Sequence, residues 1–546
     1  MKPLIAICGT TGVGKSKLGV ELALKIGQEV HREYQDSRGN HRWRGARIIN
    51  ADSMQVYVGM DVITNKIPQA ERMGIEHLLM DLKQPGEQYV VGEWIRDAIQ
   101  VIEESHSRNE IPIVVGGTSY WIQHLLFPNR LVNEHLSSTP GGASTPHRIM
   151  STSLERSISQ LPPDLLDIWR TLPRHPPNAV TNPEDTLSLH RLLQALDDAV
   201  ASRWHWRDTR KILRSLQIMK ETGRTPGEII SEQSESALIP RYRTLCFWLY
   251  AEPAALNPRL DKRVDDMIKL GLLDEIRALQ KIASSSSVPS SLVDPRQQDS
   301  SRSSVNDPNY TLGIYQCIGF KEFRDFLSSP AASAKSFSNA VEDMKHSTRK
   351  YAKRQVAWLR NKLLPAIHTA NANFDCKVPG ASMYLLDATA LGEEWTSNVL
   401  SPAQSIMNSF LRHEQLPNPA SLSAAAKVML INTDKPINPS AVLQARRRVV
   451  CPVCTTNSSQ PITIEQGQEW DAHCGTRSHR RLAAKARREL EGSSSRPRER
   501  IANKKSSGDE SYNSDESLLF LHDAAHLIEL DGQASVDSAP PAHRLR

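Results

Sequence analysis

An eight-residue segment near the amino end has the residue types and spacing of a phosphate-binding site. It fits the pattern G-x-x-x-x-G-K-[ST] in full and reads Gly9-Thr10-Thr11-Gly12-Val13-Gly14-Lys15-Ser16. Its glycines let the backbone turn until its N–H groups point at phosphate oxygens, and the helix that follows adds the positive end of its dipole. Lys15 would reach the phosphate chain, and the hydroxyl of Ser16 would bind Mg²⁺. The segment therefore predicts a diphosphate or polyphosphate site.

A carboxylate is expected beside this loop. The second predicted strand ends in Ala51-Asp52-Ser53-Met54-Gln55-Val56-Tyr57, and ligands of open α/β sheets bind beyond the carboxyl ends of the strands. Asp52 could bind magnesium, act as a general base or only cap the next helix. Gln55 and Tyr57 could each hydrogen-bond a planar base. The sequence by itself leaves the role of Asp52 open.

The fourth predicted strand, residues 111–115, leads into a Gly-Gly-Thr turn at Gly116-Gly117-Thr118. A nucleoside-triphosphate hydrolase often has an Asp or Glu at this point, where it orients magnesium and water. This turn instead brings backbone and a hydroxyl group close to the ligand. Thr118 is therefore a candidate site residue, and simple ATP hydrolysis is disfavoured.

Two stretches place basic side chains three and four residues apart, which is the spacing of one helix face. The first contains Arg207, Arg210, Lys211 and Arg214, and the second contains Lys345, Arg349, Lys350, Lys353 and Arg354. A charge run is usually a solvated face, and either stripe alone would be interpreted in that way. Two stripes in a chain with a phosphate loop favour a partner with a phosphate backbone.

Four potential metal ligands follow near the carboxyl end, in the order Cys451, Cys454, His473 and His479. Two thiolates and two imidazoles at this spacing complete a tetrahedral Zn²⁺ shell. Because no position of the shell stays open, the predicted role of the zinc is structural. The arginines around this module suit either an RNA backbone or a nuclear signal, and the sequence favours neither.

The apolar segments predict an α/β fold, with a parallel sheet core like that of P-loop nucleoside triphosphatases. Strands are expected at 4–8, 46–51, 77–82, 111–115 and 244–250, and long helices at 187–201, 208–222, 261–281 and 340–362. We divide the chain into a first core part (1–130), a helical insertion (131–240), a core completion with a basic helix (241–365), a weakly patterned linker (366–445), a zinc finger (446–490) and a disordered tail (491–546). Polar stretches at 28–44 and 284–304 are interpreted as insertions.

The composition of the 546 residues limits which cellular compartment and which classes of partner are expected. The net charge of +6 is a mild basic bias, which alone supports a nucleic-acid partner only weakly. No run of about eighteen apolar residues occurs, which argues against a membrane span. The first strand starts at Leu4 and leaves no room for a leader peptide, and the seven cysteines indicate a reducing compartment. We expect a cytoplasmic or nuclear protein, with a mitochondrial form from another start codon left open.

These motifs together resemble the tRNA dimethylallyltransferase family, also called tRNA isopentenyltransferases. The resemblance rests on the phosphate loop, Asp52 to Tyr57, Thr64-Asn65-Lys66, Gly116-Gly117-Thr118, Thr222-Gly223, Arg259 to Asp265, Gln316 to Glu322 and Thr348 to Gln355. It covers about residues 3 to 365, and the zinc module resembles the carboxyl-terminal finger of the eukaryotic branch.

The resemblance implies transfer of the dimethylallyl group of dimethylallyl diphosphate to N6 of the adenosine on the 3′ side of the anticodon in tRNA. The phosphate loop would hold the leaving diphosphate with Mg²⁺, and Lys15 would stabilise its charge. Asp52 would accept the amine proton as general base. Thr118 would touch the base or the diphosphate, and Gln55 would help to hold an adenosine flipped out of its stack.

The same resemblance implies a tRNA interface that binds the anticodon stem-loop. Separately, we expect a monomer. The implied tRNA-binding residues are Asp52, Ser53, Met54, Gln55, Thr118, Arg210, Lys211, Arg214, Arg349 and Lys353. The chain departs from the family at His205-Trp206-Arg207-Asp208, where His-Pro-Asn-Asp is usual. The tRNA contacts of this turn are therefore open.

Three other interpretations share part of these features. A small-molecule P-loop kinase has the same loop and fold but needs neither basic helices nor a zinc finger. An enzyme that prenylates free AMP is close in chemistry, but the length and the finger argue against it. A zinc-finger nucleic-acid binder with a vestigial core conflicts with the intact Lys15, Ser16, Asp52 and Thr118.

Overall fold

The structure is a computed structural model, and it describes residues 1–29, 43–128, 150–285, 313–329, 333–372, 380–431, 438–445 and 447–492. The chain forms two units. The first takes its described residues from Met1–Pro128 and Leu238–Lys435, and the second from Asn129–Ala237 and Pro436–Leu530. Most of the predicted insertions 28–44 and 284–304, and nearly all of the predicted tail 491–546, lie outside the described residues.

A parallel sheet of six strands forms the core of the first unit, in the order β3-β2-β4-β1-β5-β6. Its strands are β1 (Pro3–Gly9), β2 (Gly45–Asn50), β3 (His77–Leu78), β4 (Glu110–Val115), β5 (Arg243–Tyr250) and β6 (Ala381–Asp387). β1 lies between β4 and β5 and is buried along its whole length, which explains its unbroken apolar sequence. The predicted α/β class with a parallel core is confirmed.

Helices connect these strands and build most of the second unit. In chain order they are α1 (Lys15–Glu29), α2 (Val91–Ser107), α3 (Ser119–Leu126), α4 (Thr152–Ser159), α5 (Pro163–Arg170), α6 (Pro183–Leu196), α7 (Asp198–Ala201), α8 (Thr209–Thr222), α9 (Pro226–Glu235), α10 (Pro253–Lys269), α11 (Leu272–Ser285), α12 (Phe320–Ser328), α13 (Ala334–Trp358), α14 (Leu364–Ala372), α15 (Ser401–Leu411), α16 (Ala424–Met429), α17 (Pro439–Gln444), α18 (Gln468–Gly475) and α19 (Arg477–Gly492). None of the helices in the described ranges has the length and apolar character of a membrane span.

Backbone conformation shortens or divides three predicted elements. The strand expected at 77–82 ends after Leu78, because Leu79 and Asp81 have positive φ angles of 57° and 55° that no strand accommodates. The helix expected at 261–281 is two helices, since Gly271 between α10 and α11 has a φ of 99°. The helix expected at 187–201 is also divided, into α6 and α7.

The predicted linker 366–445 contributes to the core instead. β6 pairs in parallel with β5 along its whole length, and Trp395 and α15 belong to the apolar cluster that surrounds α1. A seven-residue strand that is buried on both faces shows no alternation of apolar and polar residues. Its sequence pattern was therefore too weak to reveal it.

The second unit combines the helical insertion with the module that holds the predicted zinc ligands. The indole N–H of Trp206 donates to the carbonyl of Pro461 at 2.7 Å, and the N–H of Arg448 donates to the carbonyl of Ser202 at 2.6 Å. Trp206 is buried, with 1% of its surface exposed. The residue at which the chain departs from the family pattern thus joins two distant parts of the sequence within one unit.

Candidate active site

The indole of Trp395 packs against the loop between β1 and α1. Gly14 has a φ of 86°, which only glycine adopts readily, and a Cβ there would lie 2.7 Å from the indole of Trp395. This indole donates its N–H to Glu21 on α1 at 2.8 Å. Within the loop, Nζ of Lys15 donates to the carbonyl of Thr10 at 2.7 Å. The ammonium group therefore lies against the loop whose N–H groups would hold phosphate.

Two arginines of α10 reach the same loop. Arg263 donates to the hydroxyl of Thr11, and Arg259 donates to the carbonyl of Gly12 at 3.3 Å. The sequence motif from Arg259 to Asp265 did not indicate a role for either arginine. Their separation of four residues places both on one face of α10. With Lys15, they bring three cationic side chains to the loop, which suits a multiply charged anion such as diphosphate.

Asp52 lies beyond the end of β2 and faces this loop. Its Oδ2 and the Nζ of Lys15 lie 3.5 and 3.8 Å from the point that a Cβ on Gly117 would occupy. The other oxygen, Oδ1, accepts the N–H of Met54 at 3.0 Å. Asp52 therefore does cap the turn that follows it, and it also presents a carboxylate oxygen to the loop.

Burial perturbs both charged groups. It raises the pKa of Asp52 above its ordinary value, while the N–H of Met54 and the positive charges of Lys15 and Arg263 oppose that shift. It lowers the pKa of Lys15 to about 8, against the effect of Asp52. The site thus combines a carboxylate that is more basic than usual with an ammonium group that remains charged at neutral pH.

Thr118 ties the ends of β2 and β4 together. Its hydroxyl oxygen accepts the N–H of Ser53 at 3.1 Å and donates to the hydroxyl of Ser53 at 3.3 Å. The backbone N–H of Thr118 donates to the carbonyl of Ala51 at 3.1 Å. Thr118 is buried, and its contacts hold the segment that carries Asp52. Its predicted contact with a ligand stays a prediction.

Gln355 on α13 connects the phosphate loop with the turn after β4. Its Oε1 accepts the N–H of Thr11 at 2.9 Å, and its Nε2 donates to the carbonyl of Gly117 at 2.9 Å. Tyr351, one helical turn earlier, lies near Asp52, and burial raises its pKa, with the Asp52 charge adding to the shift. The sequence motif contains both residues, but only the fold brings them to this site.

We expect Gln355→Ala to weaken binding of inorganic diphosphate by about tenfold, because each lost hydrogen bond holds one edge of the loop. Calorimetric titration of the full chain measures the effect. Asp343→Ala, an exposed position on the same helix, is the control and should bind as the parent does. Equal affinity of the Gln355 and Asp343 variants would mean that the bridge does not shape the loop.

Gln55 and Tyr57, the two residues predicted to bind a base, donate hydrogen bonds to backbone carbonyls of the protein. Nε2 of Gln55 donates to the carbonyls of Thr64 and Asn65, at 3.2 Å each. The hydroxyl of Tyr57 donates to the carbonyl of Glu87 at 3.0 Å, and Tyr57 is buried. Both residues therefore shape the segment after Asp52, and a direct contact of Gln55 with a base stays a prediction.

Carboxylates neutralise several members of the basic stripes. Arg214 forms two hydrogen bonds to Glu221, at 2.8 and 3.1 Å, and Arg349 pairs with Asp261. Lys211 lies 3.3 Å from Asp208, and Lys345 lies 2.9 Å from Asp265. Arg210 is half-buried, whereas Lys353 is exposed. The stripes are thus less uniformly positive than their sequences indicate.

The four predicted zinc ligands converge in the second unit. One ligand atom from each of Cys451, Cys454, His473 and His479 lies within 4.8 Å of all the others. Nδ1 of His479 is 3.5 and 3.4 Å from the two sulfurs and 3.1 Å from Nε2 of His473. Two sulfurs and two imidazole nitrogens form a donor set that Zn²⁺ accepts in tetrahedral geometry. The neighbouring Cys474 is not a member of this cluster.

Comparisons with known proteins agree with this geometry. A family model described as IPP transferase matches residues 55–362. The chain is 32% identical over 500 residues to a tRNA dimethylallyltransferase of Schizosaccharomyces pombe, across 90% of this chain and 98% of that protein. It is 30% identical to a human tRNA dimethylallyltransferase, across 89% and 87%. A solved structure of a eukaryotic dimethylallyltransferase acting on tRNA superposes with a TM-score of 0.62 at 29% identity, across 90% of this chain and 99% of that one.

Proposed function

The chain belongs to the IPP transferase family, and from this we propose that it transfers the dimethylallyl group of dimethylallyl diphosphate to tRNA. The acceptor is N6 of the adenosine on the 3′ side of the anticodon, and diphosphate is released. The observation that carries the proposal is the approach of Asp52 and Lys15 to Gly117. A proton acceptor and a diphosphate-binding cation thereby lie side by side, as an alkyl transfer from a diphosphate to an amine requires.

In this reaction the bond between the allylic carbon and the diphosphate oxygen breaks as a bond from N6 to that carbon forms. The N6 proton passes to the carboxylate of Asp52, whose raised pKa suits a general base. An aromatic amine is a weak nucleophile, so removal of its proton as the new bond forms assists its attack on the allylic carbon. The adenosine must leave its stack to enter this site.

The leaving diphosphate carries the charge that develops during the transfer. The N–H groups of the phosphate loop, Lys15 and Arg263 would stabilise it, because they are already oriented before the bond breaks. Ser16, at the start of α1, is the residue whose hydroxyl group would bind Mg²⁺. A bound Mg²⁺ would screen the diphosphate charge further.

The experiment that tests the proposal offers the purified chain labelled dimethylallyl diphosphate and Mg²⁺, with unmodified tRNA, AMP or ATP in parallel reactions. We expect label in tRNA alone. Label in AMP would identify an enzyme of free nucleotides, and label in none of the three acceptors would contradict the proposal. The cytoplasmic or nuclear location and the monomeric state remain proposals beside it.

We further propose that the Cys2His2 cluster binds one structural Zn²⁺. Cys454→Ser removes one of the four ligands, and we expect the purified protein to lose most of its zinc, since three remaining ligands bind this ion more weakly. Metal analysis by mass spectrometry measures the zinc content per chain. Cys474→Ser is a matched control within the same module and should keep its zinc. Loss of zinc from both variants alike would contradict the ligand assignment.

A further inference from the structure

A cavity of about 380 Å³ opens at the end of the sheet where β1 and β5 begin. The phosphate loop follows the other end of β1, seven residues further along the chain and so about 20 Å away. The lining contains Lys2, Arg243, Arg412 and two histidines, but no aspartate or glutamate. Of these, Arg412 is paired with Glu414 at 3.9 Å. The cavity is therefore a second cationic region of the first unit, separate from the candidate active site.

Arg243 is the most informative residue of this lining. It is only 7% exposed, and no carboxylate within the described ranges forms an ion pair with it. Its Nη1 donates to the carbonyl of Phe410 at 2.9 Å, and the guanidinium lies over the Phe410 ring, while its Nε has no hydrogen-bond partner. Burial alone lowers its pKa, to about 10. A buried cation of this kind is expected to have an anionic partner.

His106 supplies a second unpartnered group in the same lining. It is also 7% exposed, and its Nε2 lies 2.8 Å from the carbonyl of Pro3. Because a carbonyl only accepts, Nε2 carries the hydrogen, and in the neutral ring Nδ1 is then an acceptor. Nδ1 is buried and has no partner. Two residues of the lining, Arg243 and His106, thus each have a buried polar atom without a hydrogen-bond partner.

From this arrangement we propose that the cavity binds a small organic phosphate monoester. A phosphate monoanion has oxygens that accept from Arg243 and an O–H group that donates to Nδ1 of His106. Carboxylates and sulfate esters lack that O–H group near neutral pH. The volume exceeds that of a bare phosphate ion, and Trp43, whose ring lies 6.3 Å from that of His106, provides an apolar wall for the organic part.

The test titrates phenyl phosphate into the full-length Lys15→Met protein, in which binding at the phosphate loop is weakened. Calorimetry at about pH 6 is suitable, because the second pKa of a phosphate ester lies there. We expect one site per chain, weakened at least about tenfold by Arg243→Met and about threefold by Lys2→Met. Arg108→Met changes an exposed arginine outside the lining and should have no effect.

Phenyl sulfate serves as the probe for chemical class and should bind about tenfold more weakly, because it cannot donate to His106. Absence of saturable phenyl phosphate binding would overturn the proposal, as would binding that survives both Arg243→Met and Lys2→Met. Equal affinity for the two probes would overturn the assignment to phosphate. If Arg243→Met fails to fold, the affinity of Lys2→Met for phenyl phosphate decides the outcome. Lys2 is exposed, so its replacement does not disturb the core.

Discussion

Replacing Asp52 with Asn is expected to slow prenyl transfer in a single turnover by about 10³-fold, the range in which general-base catalysis contributes. The amide keeps the shape of the carboxylate and can still accept the N–H of Met54, so the local turn is preserved. It cannot take the proton that the attacking amine releases. Binding of tRNA should change by no more than a few-fold, because the lost group acts on one atom of a large interface.

Rates from rapid quench with labelled dimethylallyl diphosphate, together with filter-binding affinities for tRNA, measure both effects. Asp274→Asn, at an exposed position of α11, is the control and should leave rate and affinity unchanged. If the Asp52 variant retains its rate, Asp52 is not the base. A parallel loss of rate and tRNA affinity would instead assign Asp52 to binding.

The second large effect is expected for Lys15→Met, which should lower kcat/KM for dimethylallyl diphosphate by about 10²-fold or more. The ammonium group is lost where charge develops on the leaving group, and such interactions are worth several kcal/mol in a buried site. Lys17→Met changes a lysine on the same helix whose side chain is exposed and lies over the ring of Trp395. This control should retain most of the activity.

The pKa values of both residues predict how the rate depends on pH. Asp52 must be deprotonated to act as a base, so kcat/KM should fall as the pH decreases through its raised pKa. Lys15 must be protonated to bind diphosphate, so kcat/KM should fall as the pH rises above about 8. This ratio reports the free enzyme. A profile in Lys15→Met that keeps the alkaline limb would show that another group causes it.

The parts of the site that lie within short segments could be predicted from the sequence. The phosphate loop, Asp52 and Thr118 each follow a buried strand, and parallel strands bring their carboxyl ends to one edge. The zinc ligands could be predicted for the same reason, since their spacing is itself the signal. In these cases, the spacing of residues within one short segment is enough to predict where their side chains lie.

The remaining site residues depend on contacts between distant parts of the chain. Gln355 meets Thr11 across 344 positions, and Arg263 meets it across 252. No spacing rule connects residues so far apart, and only packing of α10 and α13 against the sheet assigns them a partner. The pairing of Arg349 with Asp261, across 88 positions, was equally hidden.

Both units are discontinuous in the chain, and this has a consequence for synthesis on the ribosome. The first segment of the second unit ends at Ala237, and the rest of that unit starts only at Pro436. At usual elongation speeds these intervening residues take about 10 to 40 s to add. During that interval the indole N–H of Trp206 lacks the Pro461 carbonyl as its hydrogen-bond acceptor. The second unit is therefore completed only after the intervening segment of the first unit has been synthesised.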